Sequence, residues 1–323
     1  MKVNSSKLEL AKSKTVEEIP LACSNELAAV EFLEKRLWNG APVCAHCQSL
    51  RVYAMKDAKT GERNKRFLWR CNDCKGQFTV RLNTVFEESR IPLRHWVYTF
   101  WRASTSKKGV SALEIKRHCQ ISYKSALFLM HRIRFAMEQN PADVGGKMTG
   151  TVEVDETYVG GKAKNMHRAK FLASGVASGG VGKECVLGIV QRDGGIRRRV
   201  ITNVCAATLK SAIREVVDNK ARIMTDEHPS YRGLGKEFAG GHDVVRHHVR
   251  EYVRGDIYTN TAESSFALIK RGLMGIYHAV SKKHLPRYLA EFDFRWNVRK
   301  MNDGERTDLI VASAAGKRLM AGA

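Results

Sequence analysis

Three carboxylates stand where surface decoration explains them poorly. Asp155 lies inside VEVDETYV (152–159), whose alternation predicts a strand. Asp226 ends a second short apolar strand, in RIMTDEH (222–228). Glu263 lies in the first turns of a predicted helix, NTAESSFALIKR (260–271), and Lys270, two turns on, shares its face. Acids at strand ends and on a nearby helix can converge on one rim of a sheet. Carboxylates gathered there repel one another unless a cation joins them. Oxygen ligands without His or Cys select Mg²⁺ (or Mn²⁺). Two such ions, roughly 4 Å apart, suit phosphodiester displacement, because they stabilise both the attacking and the leaving oxygen. No side-chain nucleophile is then needed. Each acid also has a plain alternative. Asp155 would bond to backbone, Asp226 would cap the following turn, and Glu263 would answer the helix dipole. Glu153, Glu156 and Glu227 flank the same positions, and by alternation Glu153 shares a face with Asp155. Neighbouring acids are therefore open to exchanging roles.

Cysteine spacing carries a second chemistry. Cys44-x2-Cys47 and Cys71-x2-Cys74 form two pairs that can close a tetrahedron around one structural Zn²⁺. The spacer reads as strand, turn, strand, so the segment is a zinc ribbon. Two disulfides are the alternative, disfavoured because nothing marks the chain as secreted. A closed four-Cys site is structural and not catalytic. The ribbon is rich in Arg51, Lys56, Lys59, Arg63, Lys65, Arg66 and Arg70, which suits nucleic acid or a solvated basic face.

The whole chain has 323 residues and a formal net charge of +22. That charge is the footprint of a protein that meets phosphate backbones. It is uneven: residues 37–150 hold 20 Lys/Arg against 8 Asp/Glu, whereas residues 1–36 hold 6 of each. A hydrophobic fraction of 43% argues against general disorder. No stretch predicts a membrane span or a secretory signal.

The elements that must position these groups follow from pattern. Residues 1–40 form an N-terminal helical segment, with a helix over 16–38 that Ser24 can cap. The zinc ribbon occupies 41–82. Residues 90–140 are helical: Pro92 opens one helix, and 109–138 reads as helix, turn, helix, with Ser111 and Ser122 as caps. This resembles a DNA-binding helix-turn-helix, the alternative being an ordinary helical hairpin. Lys124, Arg132 and Arg134 on its second helix are candidate DNA contacts. NPADVGGKMTG is a linker, and 162–182 a basic, then Gly/Ser-rich, excursion. From 150 to 305, strands mixed with helices indicate an α/β domain (α+β, mixed sheet), and 306–323 is a C-terminal tail. Arg197, Arg198, Arg199, His247, His248, Arg250, Arg254 and Arg271 are candidate phosphate contacts or a solvated face.

These motifs together resemble a known family. VEVDETYVGGK (152–162), IMTDEHPSYRGLG (223–235), the long segment 250–299 and the four-cysteine set look like bacterial insertion-sequence transposases, of ISXO type, that join a zinc ribbon to a DDE catalytic domain. The resemblance implies a ribonuclease H-like fold for 150–305. It implies that Asp155, Asp226 and Glu263 are the metal-holding acids, and that Lys270 is the basic residue that touches DNA phosphate. Two positions depart from the pattern: Tyr258, where relatives often carry His, and Phe266, where many carry Trp. Asn260 competes with Glu263, because Asn also occurs as the third ligand.

The expected function is a DNA transposase. It would bind terminal inverted repeats through its basic N-terminal half, hydrolyse a phosphodiester at each end and join the freed 3′ hydroxyl to target DNA. Handling two ends calls for a homodimer or a larger synaptic complex. A cytoplasmic, nucleoid-associated location follows. A nuclease of the same fold that does not join strands, and a non-catalytic DNA-binding regulator, stay open at this point.

Overall fold

In a computed structural model, residues 14–138, 146–161, 169 and 182–319 are described. The excursion at 162–182 falls almost wholly outside the described residues, and the linker at 140–150 in part. Two compact units divide the chain: Met1–Met137 with Lys300–Ala323, and Glu138–Arg299.

In the first unit, the helix expected over 16–38 is two, α1 (Thr15–Ser24) and α2 (Glu26–Leu37). The break falls at Asn25, whose extended backbone lets its side chain accept from the Ala28 N–H at 2.9 Å. Asn25 is thus the cap in place of Ser24, whose hydroxyl turns back to the Leu21 carbonyl. The ribbon follows as a three-stranded antiparallel sheet of β1 (Val52–Ala54), β2 (Trp69–Cys71) and β3 (Gln77–Phe78). It is tied to α2 by Glu34, only 8% exposed, which accepts from both guanidinium nitrogens of Arg63 and from Trp69 Nε1 at 2.8 Å. Arg63 is therefore an internal strut and not part of a DNA-facing set.

The ribbon thiols answer the disulfide alternative. Cys44 and Cys74 stand 3.6 Å apart at sulfur, as do Cys47 and Cys71, and all four sulfurs lie within 4.8 Å of one another. A disulfide needs about 2.05 Å. Four Zn–S bonds of about 2.3 Å in a tetrahedron put sulfurs about 3.8 Å apart, close to what is found.

Helices α3 (Leu93–Thr105), α4 (Ala112–Cys119) and α5 (Tyr123–Met137) follow. Ser111 caps α4 by accepting from Glu114 N–H, Gln120 ends it in the left-handed region, and Ser122 accepts from Ser125 N–H to open α5. The two helices and their three-residue connection have helix-turn-helix form. The expected tail is in fact structured. Helix α9 (Asp303–Ala312) carries a full capping box and buries Thr307, Ile310 and Val311, and its Thr307 hydroxyl meets Ser104 of α3 at 3.1 Å. The boundary at 305 and the tail at 306–323 are accordingly corrected: the chain from 300 onward belongs to the first unit.

The second unit is built on a five-stranded sheet in the order β6-β5-β4-β7-β8. β4 (Thr151–Val159), β5 (Glu184–Gln191) and β6 (Ile196–Ile201) are antiparallel, while β7 (Arg222–Thr225) and the short β8 (His242–Val244) run parallel beside β4. β5 is apolar almost throughout because it is buried on both faces. Helix α6 (Ala206–Val216) buries Leu209, Ala212, Ile213 and Val216, an i, i+3, i+4, i+7 stripe, against Val152, Val154, Leu187 and Ile189. On the other face lie α7 (Asn260–Gly272) and α8 (Leu285–Asn297), with Phe266, Ile269, Leu289 and Phe292 over Val186. Beside them Arg198, expected on a phosphate, is buried in an ion pair with Asp293 at 2.5 Å.

Gly188 decides how closely α7 approaches. It pairs with Asp155 across the sheet, and a Cβ there would come within 2.8 Å of the Phe266 ring. Only a residue without a side chain lets the helix reach the strand at this level.

Two outcomes follow. Purified protein should hold one zinc per chain by elemental analysis, and Cys71→Ser should hold none and lose amide protection across β1–β3; full protection without metal would refute a zinc-built ribbon. Gly188→Ala should cost about 1–3 kcal/mol in denaturant unfolding through overpacking, and Phe266→Leu in the same chain should restore part of it. A neutral Gly188→Ala would show that α7 does not rest on β5.

Candidate active site

Strand alternation sorts the acids of β4. Val152, Val154 and Glu156 face α6, whereas Glu153, Asp155 and Val159 face α7. The parallel register pairs Thr151 with Arg222 and Glu153 with Met224. Continued by two residues, it brings Asp226, just past the end of β7, level with Asp155. The pairing itself ends at Glu153 and Met224, and Asp226 follows one residue past β7, where its charge acts on Asp155. Glu263 comes from the first turn of α7.

The charges of neighbouring acids act on Asp155. Burial pushes the Asp155 carboxyl up to about 7, and the charges of Glu156, Asp226 and Glu263 push the same way, against one backbone N–H from Glu156. Asp226 also bonds the His228 N–H at 3.0 Å, so it caps the next turn while facing the cluster. Glu263 keeps a side chain 46% exposed, with His247 Nε2 at 3.4 Å from its carboxylate. Glu227 turns away to His248. Asp155, raised first by burial, has carboxylates and no thiol for neighbours, the donor type that suits a hard divalent cation.

The flanking acids do not exchange roles freely. Glu153 is fully buried, and its carboxylate accepts from Arg192 Nε at 2.8 Å, from Thr261 N–H and hydroxyl at 2.9 Å, and from Ala262 N–H at 3.0 Å. Its oxygens are spent on α7. Glu156 lies on the α6 face, where burial raises it to about 7 and the Tyr231 hydroxyl opposes that rise. Asn260, the competitor for third acid, opens α7 as an exposed residue.

The expected DNA contacts separate on burial. Lys124 is exposed at the start of α5, and Lys270 and Arg271 are exposed on α7. Arg254 is half-exposed and folds back onto the Val244 carbonyl and Glu251. Arg132 and Arg134 are corrections, being only 4% and 1% exposed. Arg132 donates to the carbonyls of Val85 and Leu319 at 2.8 and 3.2 Å and also to that of Glu87, so its guanidinium ties chain segments together. Both had looked like surface cations, since a helix interior gives no signal for a cation satisfied by carbonyls. On α4 and α5 the exposed Lys and Arg side chains are Lys116, Arg117 and Lys124. Sequence reading also missed Arg192: it follows a strand as an ordinary turn residue, and its partners are over 38 residues away.

Similarity to known proteins falls on the same two regions. Residues 147–297 match the family described as ISXO2-like transposase domain, and residues 24–77 match the transposase zinc-ribbon domain. An uncharacterized protein in transposable element ISH50 of Halobacterium salinarum is 29% identical over 301 residues, covering 90% of this chain and 97% of that protein. The match over 147–297 spans Asp155, Asp226 and Glu263, and the match over 24–77 spans the four cysteines. Both domains, in that order, match those of insertion-sequence transposases: a transposase zinc ribbon over 24–77 and an ISXO2-like transposase domain over 147–297.

Proposed function

We propose that the protein is a DNA transposase that binds the terminal inverted repeats of its element, cleaves a phosphodiester at each end, and joins the freed 3′ hydroxyl to target DNA. One observation carries the reading: Asp155 is held in a buried place where the charges of Glu156, Asp226 and Glu263 also act on it, and its carboxyl rises to about 7. Asp155, Asp226 and Glu263 would hold Mg²⁺ or Mn²⁺. The ions, when bound, supply activation of water or of the 3′ hydroxyl and neutralise charge on the leaving oxygen. The chain's own residues do the rest. Lys270 and Arg271, further along the helix that carries Glu263, hold the DNA backbone. Lys116, Arg117 and Lys124, with the ribbon's exposed cations, hold the element end. Two ends call for two copies, so the working form is a homodimer or larger. Among the described residues no helix is long and apolar enough to cross a membrane. We place the activity in the cytoplasm, on nucleoid DNA.

A strand-transfer assay tests this. Zinc-loaded protein and labelled element ends should give joined products with added Mg²⁺ or Mn²⁺ and none without. Asp155→Asn should lower cleavage by about 10³-fold, the scale of losing a preorganised charge at the reacting centre, with end binding unchanged. Cleaved but never joined ends would indicate a nuclease; binding without cleavage in any metal would indicate a regulator.

The raised acids set a pH dependence. The folded Asp155 value, about 7, lies above its ordinary 3.8, so the folded state holds that proton more tightly than the unfolded chain. Without Mg²⁺ or Mn²⁺, this group should cost stability progressively as pH climbs from about 4 to about 7. Added Mn²⁺ should return that stability above pH 7. Thermal melts of wild type and Asp155→Asn across this range check the sign; identical slopes would remove Asp155 as the cause.

Charge on the first unit separates by salt. Lys124→Ala should weaken binding to all DNA sequences alike and reduce the slope of log K against log salt by about 1. Arg132→Ala should lower the melting temperature and leave that slope unchanged in the folded fraction. The reverse pattern would put Arg132 on the DNA.

A further inference from the structure

Glu263 is the most exposed of the three acids and sits on a helix, so its distance from Asp155 depends on how α7 is anchored to β4. The anchor is visible. Two positions before Asp155, and on the same face, Glu153 sends its carboxylate into the first turn of α7. It accepts from consecutive backbone N–H groups, those of Thr261 and Ala262, and from the Thr261 hydroxyl. Two successive amides bonded to one fixed carboxylate set both the height of the helix and its rotation. Glu263 is the next residue, one step of about 100° around the helix. The negative charge also sits where a helix N-terminus favours it.

Arg192 locks the anion in place. Its Nε meets Glu153 at 2.8 Å, its other nitrogens donate to the carbonyls of Asp256 and Tyr258 at 2.7 and 2.9 Å, and its guanidinium lies 3.7 Å from the Tyr258 ring centre. One side chain thus joins the end of β5, the middle of β4 and the segment that leads into α7. Tyr258, a departure from the family pattern, is here the surface on which Arg192 stacks.

We infer that Glu153 and Arg192 are a positioning pair that sets the separation of Asp155 and Glu263, and through it the affinity of the acid cluster for divalent cations. Glu153 acts through α7 and touches neither metal nor DNA. The inference rests on the transposase reading for its cleavage assay, but its metal-binding assay does not need that reading.

The competing role for Glu153 is that of a direct metal ligand, and the two roles give opposite signs at Arg192. If Glu153 were a ligand, removing Arg192 would release its carboxylate, and Mn²⁺ binding would hold or tighten. If the pair positions α7, losing either member loosens binding. The experiment measures Mn²⁺ binding to zinc-loaded full-length protein by electron paramagnetic resonance, alongside amide hydrogen exchange at Thr261 and Ala262 and single-turnover cleavage against Mn²⁺ concentration. Glu153→Gln and Arg192→Gln should each weaken Mn²⁺ binding about 10-fold or more, the scale seen for outer-shell partners of metal ligands. Both should speed exchange at the two amides. Half-saturating Mn²⁺ should rise for both variants, with cleavage recovering at high Mn²⁺. Should either variant fail to fold, Thr261→Val, which deletes only the hydroxyl bond, should show the same directions in smaller measure. Unchanged or tighter Mn²⁺ binding in Arg192→Gln, or in Thr261→Val if that variant alone folds, overturns the inference. A wild type that binds Mn²⁺ but cuts no DNA would sink the transposase reading and leave the pair to be judged on binding alone.

Discussion

Like charges held close together are the constraint on which the second unit depends. Asp155, Asp226 and Glu263 arrive from a strand, a strand end and a helix; burial raises the cost of ionising Asp155 most, and the charges of Glu156, Asp226 and Glu263 add to it. Left to electrostatics alone, such groups would separate. They stay because other interactions decide where their backbones run. The β4–β7 register places Asp226, the Glu153 carboxylate places α7, and the absence of a side chain at Gly188 lets Phe266 close on the sheet. Asp155 thus combines burial with nearby negative charge, a combination common at functional sites.

Acids next to one another in sequence divide their work by strand geometry. Along Glu153-Val154-Asp155-Glu156, alternation sends Glu156 toward Tyr231 and leaves Glu153 and Asp155 on one face. On that shared face, depth separates the two. Glu153 lies beneath the start of α7 and has every bond it needs, whereas Asp155 has one backbone partner and a set of acidic neighbours. Burial alone does not distinguish a ligand from a strut; the census of donors does.

The same distinction runs through the first unit. Arg63 and Arg132 contribute to the basic count, yet both are used inside, one on Glu34 and the other on carbonyls. A guanidinium can satisfy several acceptors at once in a fixed fork, which suits it to tying segments together. The charge left for phosphate is therefore smaller than the composition suggests, and on the helices it lies on residues such as Lys116, Arg117, Lys270 and Arg271 in last turns and Lys124 in a first. The four sulfurs, by contrast, are spaced for a metal, beside a small apolar cluster in which Cys44 and Cys71 pack with Phe78, Trp38 and Trp69.

Much was legible from sequence because it is local. Cys-x2-Cys spacing, the Ser111 and Ser122 caps, the alternation around Asp155 and the apolar stripe of α6 depend on residues within a few positions of one another, and such patterns survive without a fold. Family resemblance added the roles of Asp155, Asp226 and Glu263. Tertiary structure decided the rest. It split the first helix at Asn25, made the last residues a packed helix of the first unit, buried Arg132 and Arg134, and turned Glu153 from a candidate ligand into an anchor for α7. These outcomes rest on partners far apart in the chain, such as Glu153 with Thr261 and Arg132 with Leu319. A side chain's type says which bonds it can make; only the fold brings the partner that it bonds.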